Sequence, residues 1–294
     1  MKRILYIFVT LLSLTSCRKE QELIQPSNAT VNFIYREAST KTLEVDEGWI
    51  SNCNIFVYDQ SGDLVESAYS GSGAIPSLSL NCRGDESYKF YCICNTGNIT
   101  GIGLFSRETG LVNYQYSVSD YEDIIDVNGA VPMTGSTLPI RIADGMEIHI
   151  NLTSCVALIT IRVDDRGLAE STYEISSIRL KNSPKKVGLF SSSAAATASD
   201  CIATGDRAGY GDILRFNNGL GVGFYMFENA QGVLLPSNTD CHTKFFAAGS
   251  PYEDVCSYIE LSGYYNGAWS ANPAFGSFTY RFYLGGDPTS DLSV

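Results

Sequence analysis

The chain has 294 residues, with 32 acidic side chains against 20 basic ones and a formal net charge of −12. That balance repels phosphate backbones and anionic lipid headgroups, which excludes nucleic acid as an expected partner and any membrane contact made through a basic patch. Eighteen tyrosines, fourteen phenylalanines and 27 glycines suit strands joined by tight turns.

Lys2 and Arg3 form a short positive head, residues 4–14 an apolar run, and Leu14-Thr15-Ser16-Cys17 a close of small residues before a cysteine. The run is shorter than the roughly 20 residues of a bilayer-spanning helix, so it reads as an export signal. Its closing tetrad resembles the lipobox of bacterial lipoproteins. That resemblance implies a signal peptide over residues 1–16 and lipidation at Cys17. The 278 residues that remain carry a net charge of −14 once Lys2 and Arg3 are removed. Residues 17–27 read as a polar spacer.

From Ala29 the apolar period becomes two. Ala29, Val31, Phe33 and Tyr35 alternate with Thr30, Asn32 and Ile34, which predicts a strand with one apolar face. Residues 50–58 predict a second strand, and Asp59-Gln60-Ser61-Gly62-Asp63 a hairpin turn into Leu64 and Val65. Residues 75–80 and 87–95 predict two more, the latter apolar enough to be central. Residues 118–125 carry a weak helical spacing. Residues 131–135 read as a turn, because Pro132 argues against a central strand.

A second block opens near Leu138, with the expected domains at residues 28–138 and 139–294. Residues 146–152 alternate, residues 156–163 are strongly β-branched, and residues 173–180 alternate again. The small-residue run 191–199 has no large apolar stripe to bury and reads as a loop. Strands follow at 221–228, 257–265 and 277–284. Many short strands and glycine turns place the chain in the all-β class as a sandwich.

Candidate chemistry is sparse. Only His149 and His242 are present. His149 sits on the polar side of an alternating strand, and Cys241-His242 lacks a recognised zinc spacing. Asp120, Glu122, Asp123 and Asp126 crowd one segment, and Glu253 and Asp254 another, as paired carboxylates do in glycosidases, but also as turns do in any acidic protein. Gly219-Leu-Gly-Val-Gly lacks the lysine and context of a phosphate loop. The expectation is therefore no catalytic residue, no metal and no cofactor. Eight cysteines follow Cys17, an even number that permits disulfides without choosing a pairing. Cys92 and Cys94, two apart in a strand, share a face.

Several runs resemble the fimbrillin superfamily of Bacteroidetes, the subunits and accessory lipoproteins of type V pili. They are Gly221-Val-Gly-Phe-Tyr-Met-Phe-Glu-Asn-Ala-Gln-Gly232, Ser257-Tyr-Ile-Glu-Leu-Ser-Gly-Tyr-Tyr265, Phe278-Thr-Tyr-Arg-Phe-Tyr-Leu-Gly285, Val131-Pro-Met-Thr-Gly135 and Asn52-Cys-Asn-Ile-Phe-Val-Tyr-Asp-Gln-Ser-Gly62. The resemblance implies two tandem transthyretin-like β-sandwich domains and an outer-membrane lipoprotein that enters an extracellular fimbrium. It also implies removal of an N-terminal segment by an arginine- or lysine-specific protease, and assembly with other fimbrial subunits by strand exchange. In this sequence the removable strand is Ala29, Val31, Phe33, Tyr35 and their neighbours, with Arg36 and then Lys41 as cleavage sites.

Family members continue with further strands beyond the region matched by residues 281–285, whereas nine residues follow Gly285 here. Either the second sandwich is cut short, or the subunit accepts a strand without donating one, as an accessory or tip component would. The rival expectation is a surface glycan-binding lipoprotein, with Trp269, in the polar link between the last two long strands, as the candidate sugar contact. A surface receptor is a further expected partner.

Overall fold

The structure is a computed structural model that describes residues 27–37, 50–72, 78–82, 86–125, 129–143, 145–163, 171–267 and 274–294. Its first half contains β1 (Ser27–Glu37), β2 (Cys53–Tyr58), β3 (Leu64–Ser70), β4 (Leu78–Cys82), β5 (Ser87–Cys94), the short helix α1 (Glu108–Val112), β6 (Gln115–Ser117), β7 (Met133–Ser136), β8 (Ile140–Arg141) and β9 (Glu147–Ser154). Seven of these strands run in the order β3-β2-β5-β7-β9-β1-β4, and β8 also pairs with β5.

The second half contains β10 (Val156–Ile161), β11 (Ser171–Lys181), β12 (Lys186–Gly188), β13 (Asp206–Arg207), helix α2 (Tyr210–Asn217), β14 (Val222–Phe227), β15 (Ala230–Val233), β16 (Tyr258–Gly267), β17 (Ala274–Tyr283) and β18 (Asp291–Ser293). They form the sheet β13-β11-β16-β17 and the pairs β10-β14 and β15-β18, while β12 reaches back to β6. The chain is all-β, and no helix among the described residues is long and apolar enough to cross a membrane.

β2 is buried along its whole length because it lies between β3 and β5 and is covered on both faces. Cys53, Ile55 and Val57 fill one side. On the other, Phe56 meets Phe105 edge-on at 5.2 Å, and the Tyr58 hydroxyl donates to the Phe105 carbonyl at 2.9 Å. Asn54 shares that second side with no exposure, which is tolerable only because its amide is fully used. It donates to Gly97 and Ile93 carbonyls and accepts from Ile99 N–H. The second core joins Ile178, Leu180, Ile259, Phe224 and Met226 to Ile213 and Phe216 of α2.

The turn expected at residues 131–135 is corrected. Pro132 stands just before β7, and β7 is a central strand between β5 and β9. Proline at that position leaves the ladder intact, since the missing N–H precedes the paired residues. Gly135 lets the two chains approach, because a Cβ there would lie 2.3 Å from the Asn151 carbonyl oxygen. Residue 138 falls between β7 and β8, both of which bond to β5, and the chain changes sheets at Cys155, between β9 and β10. The weak spacing at 118–125 becomes a 3-10 turn over Tyr121–Ile124.

Tyr121 links the two halves. Its hydroxyl accepts from the Tyr225 N–H of β14 at 2.6 Å and faces the Asp206 carboxyl in β13. Burial pushes both acid groups up, Tyr121 furthest. Tyr121→Phe keeps the ring and removes the hydroxyl, so Tyr225 N–H and Asp206 both lose a partner. We expect a loss of about 1–3 kcal/mol, read as a fall in thermal midpoint of a few degrees.

Candidate functional site

β1 is held by two neighbours in succession. Ser27 to Val31 run antiparallel to β4, with Ala29 opposite Leu80 and Val31 opposite Leu78. Asn32 to Glu37 then run parallel to β9, with Phe33 opposite Ile148, Tyr35 opposite Ile150 and Glu37 opposite Leu152. Leu78, Leu80, Ile148, Ile150 and Leu152 are all at most 4% exposed. The register therefore pairs each of the four predicted positions, 29, 31, 33 and 35, with a deeply buried apolar residue. β9 reads outward–inward throughout, His149 and Asn151 exposed and Ile148, Ile150 and Leu152 buried.

The strand is longer than its alternation predicts, running through Arg36 and Glu37. Arg36 thus lies inside β1, with its backbone in register with Asn151. A protease acting at Arg36 needs that last stretch of the strand to leave β9 first, because cleavage requires an extended, unpaired backbone. Cys17, Lys41 and Trp269 lie outside the described residues.

A groove of about 670 Å³ opens at one end of the β11-β16-β17 sheet. It is lined by Tyr173, Glu174, Tyr264, Tyr265, Asn266 and Phe275, next to the link that carries Trp269. Tyr264 is 60% and Phe275 83% exposed, so aromatic faces are presented to solvent there.

The candidate acids have local partners. Asp120 and Asp123 cap the 3-10 turn that carries Tyr121, the Asp120 N–H donating to Asp123 at 3.1 Å. Glu122 is exposed and Asp126 lies outside the described residues. Glu253 pairs with Arg281 at 3.2 Å, and Arg281 also meets Glu260 and stacks over the Tyr258 ring at 5.3 Å. Asp254 is exposed. His242 is exposed. With Asp240 and Cys241 it makes an exposed trio on a 3-10 turn, where Asp240 accepts from the His242 backbone N–H at 2.9 Å.

The described cysteines with placed side chains, Cys53, Cys92, Cys94, Cys155, Cys201, Cys241 and Cys256, are free thiols. Sequence reasoning missed the walls of the β1 seat. The alternation over 146–152 marks an inward face but does not say that its neighbour is more than a hundred residues earlier.

The fold has counterparts among solved structures. A candidate cell-adhesion protein from Parabacteroides distasonis superposes on 88% of this chain and 85% of its own, with 9% identity and a TM-score of 0.57. A second, from Bacteroides eggerthii, covers 88% and 81% with 16% identity and a TM-score of 0.52. The fimbrial anchor protein Mfa2 from Porphyromonas gingivalis covers 87% and 82% with 12% identity and a TM-score of 0.37. No curated protein matches the chain in sequence, and a family model described as a domain of unknown function, DUF4906, matches residues 224–294. At these identities the likeness is one of fold: the chain shares the all-β architecture of these two cell-adhesion proteins.

Proposed function

We propose that the chain is a fimbrial, adhesive surface component, non-enzymatic, assembled with other subunits by exchange of its first strand. The observation that supports this most is the seating of β1. One short segment at the start of the described chain stands in register with five buried apolar residues and supplies backbone partners to both β4 and β9. A strand from another subunit with the same alternation satisfies both requirements, the backbone by ladder hydrogen bonds and the apolar wall by burial. Lipidation at Cys17 holds the unprocessed chain at the outer membrane, and cleavage after Arg36 or Lys41 removes anchor and strand together. An accessory or tip position is the favoured place in the fimbrium.

Mass spectrometry of protein purified from fimbriae tests this. The expected N-terminus is Glu37 or Thr42, while a membrane-retained pool carries lipid on Cys17. Fimbriae in which the subunit still contains residues 27–37 would overturn the exchange.

The aromatic groove favours a second reading, a surface glycan-binding lipoprotein. Stacking of sugar rings on Tyr264, Tyr265, Phe275 and Trp269 would then carry affinity. Glycan-array binding abolished by both Tyr264→Ala and Trp269→Ala, in protein that keeps residues 27–37, would favour it over strand exchange.

A further inference from the structure

Three buried thiols converge in the core of the first half of the chain. Cys53 Sγ lies 3.4 Å from Cys92 Sγ, Cys92 Sγ lies 3.6 Å from Cys94 Sγ, and all three sulfurs fall within 4.8 Å of one another. None of the three residues has measurable exposure.

The backbone says what this convergence is suited to. Cys53 and Cys92 are diagonal positions across β2 and β5, since Cys53 is in register with Cys94. Diagonal pairs are roughly 7–8 Å apart, beyond the Cα separation of about 4.4–6.8 Å that a disulfide spans. Cys92 and Cys94 are alternate residues of one strand, about 6.6–6.8 Å apart and at the limit of that range. The two closest sulfur pairs are therefore poorly placed for bridging, yet their side chains point at one spot. Thiolates bound at about 2.3 Å to a common ion stand roughly 3.8–4.0 Å apart, so spacings of 3.4 and 3.6 Å need to open by only a few tenths of an ångström to hold one. Met133, in register with Cys94 and also buried, adds a thioether at the next position of the sheet.

We propose that Cys53, Cys92 and Cys94 form a buried binding site for one soft monovalent ion, Cu(I), held by sulfur alone. Soft thiolate and thioether donors select such an ion over hard cations. Zinc asks for a fourth ligand, and among the described residues no fourth cysteine, histidine or carboxylate joins the cluster. On binding, two thiols lose their protons and the third remains a neutral donor, so Cu(I) and two thiolates leave one negative charge in the core instead of two. As the site has no opening, it loads while the chain folds.

The test is anaerobic refolding of the reduced full chain, carrying Cys241→Ala to remove the exposed Asp240–Cys241–His242 trio. Cu(I) is supplied as its bathocuproine disulfonate complex. The expected result is one Cu(I) per chain withheld from the chelator, a sulfur-only shell in X-ray absorption, and a raised thermal midpoint. Cys53→Ala, Cys92→Ala and Cys94→Ala should each lose the ion, while Cys201→Ala keeps it. The absorption spectrum of the protein with all three thiols decides even where an alanine variant fails to fold. No retained ion, a nitrogen or oxygen shell, retention in Cys53→Ala, or a Cys53–Cys94 disulfide in protein isolated from cells overturns the proposal.

Discussion

A chain that begins at residue 38 is expected to lose the stable fold of the sheet that contains β4 and β9 and to regain it when a peptide of residues 27–37 is added. The size of the effect follows from what β1 covers. Leu78, Leu80, Ile148, Ile150 and Leu152 are nearly sealed from water, and fully burying such a side chain contributes about 1.5–3 kcal/mol. Exposing one side of all five, and losing ladder bonds that each contribute about 1 kcal/mol net, amounts to something on the order of 10 kcal/mol. That is comparable with the whole stability of an ordinary domain, roughly 5–15 kcal/mol.

The truncated protein should therefore self-associate or expose hydrophobic surface, read by light scattering and dye binding. The peptide should restore a monomer with a single thermal transition. A peptide with Phe33→Asp and Tyr35→Asp should fail, because the parallel half of the seat, Ile148 and Ile150, would then face charge. A truncated chain that stays monomeric with an unchanged midpoint would sink the seat as the functional element, and strand exchange with it.

How far the sequence showed this depends on the range of the interaction. Alternation is local, so the inward set Ile148, Ile150 and Leu152 and the central character of residues 87–95 were legible. The pairing of β1 with β9 was not, because nothing in residues 32–37 names a partner at 147–152. Proline misled at 132, where the strand begins one residue later. α2 was missed because glycine at its second position lowers helix propensity and its buried stripe is only Ile213 and Phe216. The aromatic groove was half legible. Tyr264 and Tyr265 stood in a recognised strand, but only the pairing of Tyr265 with Gly276, and of Asn266 with Phe275, brings the far strand's aromatic ring beside them.

The second large effect is expected at a residue that no motif marks. Asn229 has no exposed surface, and its side chain ties three segments together. It donates to the Val255 carbonyl at 2.8 Å and to Ser257 Oγ at 2.9 Å, and it accepts from Ala195 N–H at 3.1 Å and Gln231 Nε2 at 2.8 Å. Its backbone exchanges two hydrogen bonds with Val294, at 2.8 and 3.2 Å, which fixes the last residue beside β15. Asn229→Leu keeps the branched shape in a larger volume and removes every side-chain bond, leaving several buried groups without partners at about 1–3 kcal/mol each. The expected loss is about 3–5 kcal/mol, a fall in thermal midpoint of roughly 10 °C for a chain of this size, with faster amide exchange at Val294. Asn229→Asp separates the two halves of the argument. It keeps the acceptor and buries a charge, which raises its carboxyl pKa in the folded state. An acid whose folded pKa is raised weakens the fold as pH climbs through the interval between its unfolded and folded values. Asn229→Asp should therefore approach the parent protein at low pH and fall behind it towards neutrality, whereas Asn229→Leu should show a deficit that does not change with pH. A leucine variant within a degree of the parent would mean that the C-terminal segment is held by its apolar contacts around Leu292 and not by this amide.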